Sequence, residues 1–300
     1  MPEFLDITIP LMTFLIMFTV GTGLGLNDLN RVSRSPKKVV LASLAQIVCL
    51  PLIGLMVVNL FSLSDYIVAG VLLIAACPGG SISNFYIYLA RANVALSVVL
   101  TGVSCLLAII TMPLVMTVFM HYMSVPETFH VPIGKLLHTL IWFLLVPIIL
   151  GMLIRHLRPS LVARIDRWLR IGSTLFLGAL IIQVIWQSPE VFTLNLKETV
   201  KASVAMAGLA ILAGLLVGKM MKLEAYDYLP VVVELMVQNV ALASTIAVTV
   251  FHQAKFASFA TAYFLVQVPI AAILILVCLR SLSSSRTRDN CYTTEIEGSG

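Results

Sequence analysis

Nine stretches of about twenty mostly apolar residues divide the chain, near 8–27, 38–61, 66–91, 94–121, 133–156, 168–187, 200–220, 226–252 and 256–280. About twenty helical residues reach about 30 Å, the thickness of a bilayer's hydrocarbon core. Only 11% of the 300 residues are charged and 60% are hydrophobic, against about 25% charged in an ordinary soluble domain. So few charges cannot cover a water-facing surface, and lipid is the solvent for most of it. The pattern predicts an all-α polytopic membrane protein with nine transmembrane helices in a single transmembrane domain, residues 1–280. A polar cytoplasmic tail, 281–300, follows, and its composition predicts disorder.

Lysines and arginines mark alternate loops. Arg31, Arg34, Lys37 and Lys38 fall in the first, Arg91 in the third, and Arg155, Arg158, Arg164, Arg167 and Arg170 in the fifth. Lys219 and Lys222 fall in the seventh, and Arg280, Arg286 and Arg288 in the tail. The intervening loops are poorer: Lys135 stands near Glu127, and Lys197 and Lys201 near Glu190 and Glu198. By the positive-inside rule the N-terminus is outside and the C-terminus cytoplasmic. The same distribution accounts for the net charge of +5 with no nucleic-acid partner. Glu3 and Asp6 stand where a cleavable signal peptide carries basic residues. The five cysteines form no CxxC pair and read as small buried hydrophobes. Gly21 and Gly25 predict close helix packing, and Pro147 a kink.

Two segments are interrupted. The third breaks at Pro78-Gly79-Gly80, after only about a dozen apolar residues, and the eighth carries Glu234, Gln238 and Asn239 in its middle. Each is third in a group of four, segments 1–4 and 6–9, and an odd number of crossings separates the groups. They are therefore inverted repeats by helix order, and paired interruptions in such halves point to a transporter binding site.

A carboxylate at the bilayer centre costs at least about 2.5 kcal/mol, so Glu234 needs a proton, a cation or a cavity. Gln238 follows it by one turn. Ser83 and Asn84 follow the first break, and Ser97 and Thr101 share one helix face. Taken singly, these hydroxyls read as bonds back to their own helix, and Gln46 as an interhelical bond. As a set, hydroxyl, amide and carboxylate oxygens beside unwound backbone suit a small hard cation such as sodium. The helix starting near Ser83 would aim free N–H groups into the same cavity and attract an anion. No nucleophile and base can be paired, so an enzyme is not expected.

The stretches MFTVGTGLGLNDLNRVSRSPKKV, LAQIVCLPLIG, ACPGGSISNFYIYLARANVALSVVLT and VELMVQNVALASTI resemble the bile acid:sodium symporter family, over nearly the whole chain. The resemblance implies two broken helices crossing in a core domain, about 38–121 and 200–280, plus a panel domain, about 8–27 and 133–187. It implies two sodium ions. The first would use Ser83, Asn84, Ser97, Thr101 and Glu234. The second would use Gln46, Glu234 and Gln238, with backbone carbonyls near Leu235 and Val237. Asn239 and Ser81 would meet the substrate. So would Gln267, which with Pro269 stands where bile-acid-binding relatives carry a His-Asn pair; small anions such as pantoate or 2-oxo acids are therefore open beside bile acids. The implied function is sodium-coupled symport of an organic anion at the cell membrane. The alternative is a sodium/proton antiporter or proton-coupled carrier, with Glu234 holding the proton.

Overall fold

The computed structural model describes residues 2–25, 36–122, 131–187 and 195–297, and every regular element in them is helical. Of the loop charges, Arg31, Arg34, Glu127 and Glu190 lie outside the described residues. In order the helices are α1 (Pro2–Gly23), α2 (Pro36–Leu60), α3 (Asp65–Ala76), α4 (Ile82–Leu89), α5 (Val94–Tyr122), α6 (Ile133–Leu140), α7 (Val146–Leu157), α8 (Pro159–Gln187), α9 (Leu196–Met220), α10 (Ala225–Met236), α11 (Val240–Thr249) and α12 (Ala257–Glu297).

Six of the described helical stretches are individually long and apolar enough to cross a membrane. The interruptions expected in two segments are present. The third and eighth are pairs of half-helices, 12 and 8 residues in α3 and α4 and 12 and 10 in α10 and α11. None of the four reaches across a hydrocarbon core alone. The sixth begins earlier than its apolar pattern, because the arginine-bearing turns from Pro159 join the same helix. The last apolar span ends at Leu279, close to the expected 280, but the helix that carries it, α12, runs on to Glu297. Extending a formed helix is far easier than nucleating one, and residues 270–297 hold no proline or glycine to stop it.

Each break has a local cause. At Pro78-Gly79-Gly80 the proline lacks an N–H and the glycines favour non-helical backbone. The second break, at Val237–Asn239, has neither residue type. There Asn239 caps α11, its side-chain oxygen accepting from Leu242 N–H at 3.0 Å. Between α6 and α7 lies a π-helical turn, Ile141–Leu145, closed by Val146 N–H donating to Ile141 O. Pro147 follows at once, and the widened turn relieves the clash of its ring with the preceding turn. The kink expected at Pro147 is this π-turn.

Helix α1 lies against α7 and α8 and reaches α11, while α9 packs on α2, α10 and α12. The α1–α7 contact is backbone on backbone. A Cβ at Gly21 would overlap Ile148 O, and one at Gly151 would sit 2.5 Å from Phe18 O. The small-residue packing therefore pairs Gly21 with Gly151 of another helix, rather than with Gly25 in its own sequence. Arg155 ties the two together by donating to Thr22 O at 3.0 Å and to Gly23 O. Cys77 and Cys105 are buried and Cys49 and Cys278 half-buried, all free thiols.

Candidate ion and solute site

The two breaks meet as a miniature antiparallel pairing of Gly79 with Gln238. Gly80 N–H donates to Val237 O at 2.9 Å, and Asn239 N–H donates to Pro78 O at 3.0 Å. Each interruption thus satisfies backbone groups the other leaves open, which chain in the middle of a membrane requires. Both glycines are needed at this distance. A Cβ at Gly79 would overlap the Glu234 carboxylate, and one at Gly80 would come within 2.7 Å of Gln238 O.

Glu234, 1% exposed, sits beside the crossing. Its Oε2 accepts from Ser83 Oγ at 2.9 Å and from Thr101 Oγ1 at 3.1 Å. Thr101 Oγ1 also lies 3.1 Å from Ser97 O, so its single proton is shared between the ordinary helical back-bond and the carboxylate. Side chains from α4, α5 and α10 are gathered around one carboxylate. The other polar atoms of the group have no partner: Glu234 Oε1, Asn84 Oδ1 and Ser97 Oγ are buried and unbonded. Buried polar atoms are normally satisfied, and unpartnered carboxylate, amide and hydroxyl oxygens are the donor types a small hard cation takes.

The second expected set is partly used internally. Gln238 Nε2 donates to Leu235 O at 2.7 Å, and Val237 O takes the Gly80 N–H. A carbonyl has two lone pairs, so both keep capacity, and Gln238 Oε1 is buried and unbonded. Gln46 is buried with its Nε2 unbonded, and it lines a small cavity with Pro78 and Ser104.

A cleft of about 400 Å³ runs between α1, α4, α5 and α8. Ser81 and Asn84 line it near the crossing, with Thr19, Thr174, Arg167 and Arg170 farther along. A smaller cavity continues it past Ser81 to Gly80, Gln238 and Asn239. Asn239 is buried and donates to Met17 Sδ at 3.4 Å as well as capping α11. Gln267 is wholly buried with both amide atoms unbonded, and it lines neither of these cavities.

Three participants were not read from sequence. Ser104 Oγ accepts from Gly79 N–H at 3.2 Å; its spacing of three from Thr101 was the available signal. Tyr263 OH donates to Met236 O at 2.6 Å, holding the end of α10. Thr13 Oγ1 donates to Ala241 O at 3.0 Å and accepts from Thr245 Oγ1 at 2.7 Å, joining α1 to α11. Nothing in a lone apolar-segment hydroxyl announces such a bond.

Residues 10–195 match the sodium bile acid symporter family. An uncharacterized sodium-dependent transporter of Bacillus subtilis is 28% identical over 237 residues, 79% of this chain and 72% of its own length. A probable chloroplastic sodium/metabolite cotransporter of Oryza sativa is 35% identical over 147 residues, 49% of this chain and 35% of its own. A sodium/bile acid cotransporter of Mus musculus is 33% identical over 141 residues, 47% of this chain and 32% of its own. The matched part is thus about a third of the rice and mouse proteins. All three relatives are named as transporters or cotransporters, none as an enzyme.

Proposed function

From the premise that this chain belongs to the sodium bile acid symporter family, a family of sodium-dependent transporters, we propose that it carries an organic anion together with sodium by alternating access. It is an integral multi-pass membrane protein and a transporter, not an enzyme. The observation that carries the finer reading is the vacant oxygen cluster at Glu234, beside a cleft that reaches the same crossing.

One sodium is held by Glu234, Ser83, Asn84, Ser97 and Thr101. A second is held by Glu234, Gln46, Gln238 and the carbonyls of Leu235 and Val237. Sodium compensates the carboxylate, which otherwise costs several kcal/mol at such a depth. The anion lies where the cleft by Ser81 meets the smaller cavity by Asn239, near the positive N-terminal end of α4. Charge compensation makes each ligand favour the other, and the coupling is reciprocal. A cleft of about 400 Å³ is within the usual range for small-molecule sites and suits a bile acid-like anion or a smaller carboxylate. Gln267, buried on α12 with both amide atoms unbonded, lines neither cavity, so it meets the solute only if α12 or its neighbours shift. Helices α1, α6, α7 and α8 form a panel that moves against the remaining core, the second and inverted pair of broken helices included. α1 and the two broken segments complete nine crossings. The N-terminus is outside and the cleft opens to the cytoplasm by Arg167 and Arg170, in the cell membrane.

The test is uptake into proteoliposomes of labelled anions, steroid-like and small carboxylates, driven by a sodium gradient at constant pH. Sodium-driven accumulation of one anion class is expected. Accumulation driven by a pH gradient without sodium would replace this reading with the proton-coupled one.

A further inference from the structure

About two helical turns from the crossing, at the N-terminal ends of three helices that feed it, lies a second polar cluster. Lys38 of α2 forms an ion pair with Asp227 of α10. Asn93, in the turn before α5, donates from Nδ2 to Asp227 Oδ1 at 2.8 Å. Its own N–H donates to Tyr226 O at 3.1 Å, and its Oδ1 caps α5 by accepting from Leu96 N–H at 3.0 Å. Asp227 is only 8% exposed. Arg91 in the same turn has φ 55°, the left-handed region that lets the chain pass sharply from α4 into α5.

Beyond this knot the same three helices build an apolar cluster of their own, separate from the main core. It includes Val39 and Ala42 of α2, Leu96 and Leu100 of α5, and Val231 and Leu235 of α10. Beyond it come the polar residues of the crossing, at matching depth. Gln46 stands eight residues after Lys38, Thr101 eight after Asn93, and Glu234 seven after Asp227, each about 11–12 Å along its helix. Helices α2, α5 and α10 are in mutual contact. The three are pinned at their N-terminal ends, packed along the next two turns, and carry the ion-site groups two turns in.

We propose that Lys38, Asn93 and Asp227 are positioning residues for sodium: they set the axial register of α2, α5 and α10, and so the geometry of Gln46, Thr101 and Glu234. The inference rests on the sodium reading given above and assigns it a support that touches no ion. A slip of one helix by a fraction of a turn leaves the apolar packing adaptable but moves an oxygen out of coordination range.

The test is the melting temperature of the purified full chain against sodium concentration, with potassium as control. Ligand binding to the folded state raises stability with concentration. In Asp227→Asn the half-saturating sodium concentration rises about tenfold, the lower end for lost outer support of a metal site. Melting in potassium changes by less than about 4 °C. Asn93→Ala, which keeps the ion pair, shifts half-saturation in the same direction, and the exchange of Lys38→Asp with Asp227→Lys returns it toward wild type. Unchanged half-saturation in both single variants overturns the inference, whatever happens to melting in potassium. Should Asp227→Asn fail to fold, Asn93→Ala decides alone. A wild-type chain that responds equally to sodium and potassium overturns the sodium reading itself, and this inference with it.

Discussion

Glu234 is a charge with two hydroxyl donors on one oxygen and nothing on the other. Its replacement by glutamine keeps the shape and removes the charge. Glu234→Gln is expected to abolish sodium-specific stabilisation while melting in potassium stays at or above wild type, because an uncompensated buried charge is gone. Paired melting curves in the two salts check this. Gly80→Ala places a methyl group against Gln238 O, in backbone that the crossing holds from both sides. It is expected to lower stability by about 1–3 kcal/mol, the usual cost of overpacking, as read from thermal unfolding. At this scale legibility followed chemistry. A carboxylate in an apolar run has few explanations, so Glu234 and its neighbours stood out. Tyr263 and Thr13 did not, since hydroxyls in apolar segments are common and their partners lie on distant helices.

The half-helices differ in how they announce themselves. Pro78-Gly79-Gly80 writes its break in backbone chemistry. Val237–Asn239 contains no helix breaker, and its break showed only through polar side chains in an oily stretch. What stops α10 there is tertiary pairing with the first break plus the Asn239 cap. Asn239→Ala is accordingly expected to cost about 1 kcal/mol through the lost cap. The measured loss should appear in unfolding and as faster amide exchange at Val240–Leu242. The π-turn before Pro147 and the continuation of α12 past residue 280 were not legible. The first is a compromise between a proline and its neighbours, and the second needs a helix already formed upstream.

Among the described residues, Thr13 and Met17 of α1 and Lys135 and Thr139 of α6 make polar contacts to α11 and the residues flanking it. Thr139 Oγ1 and Thr249 Oγ1 lie 3.5 Å apart, bridging α6 and α11, and about 24 Å of helix separates Thr139 from Arg155. This contact is thus at the end away from the cleft mouth. In the double variant Thr139→Cys with Thr249→Cys, oxidation is expected to stop uptake and reductant to restore it. Each single variant is expected to transport under both conditions, the control the native thiols require. Helix order and the two interrupted segments were readable from sequence. Which faces line the cleft was not, because segments oily all round carry little periodicity. The apolar cluster of α2, α5 and α10 bears on timetable as well as architecture. It lines the space between the Lys38 knot and Glu234 with apolar side chains, which offer an ion no oxygen to hold. Asn84 borders the cleft and Gln46 does not. On the two-sodium reading proposed above, the cation by Asn84 holds the nearer place in a queue, and the one by Gln46 leaves after the solute and its neighbour.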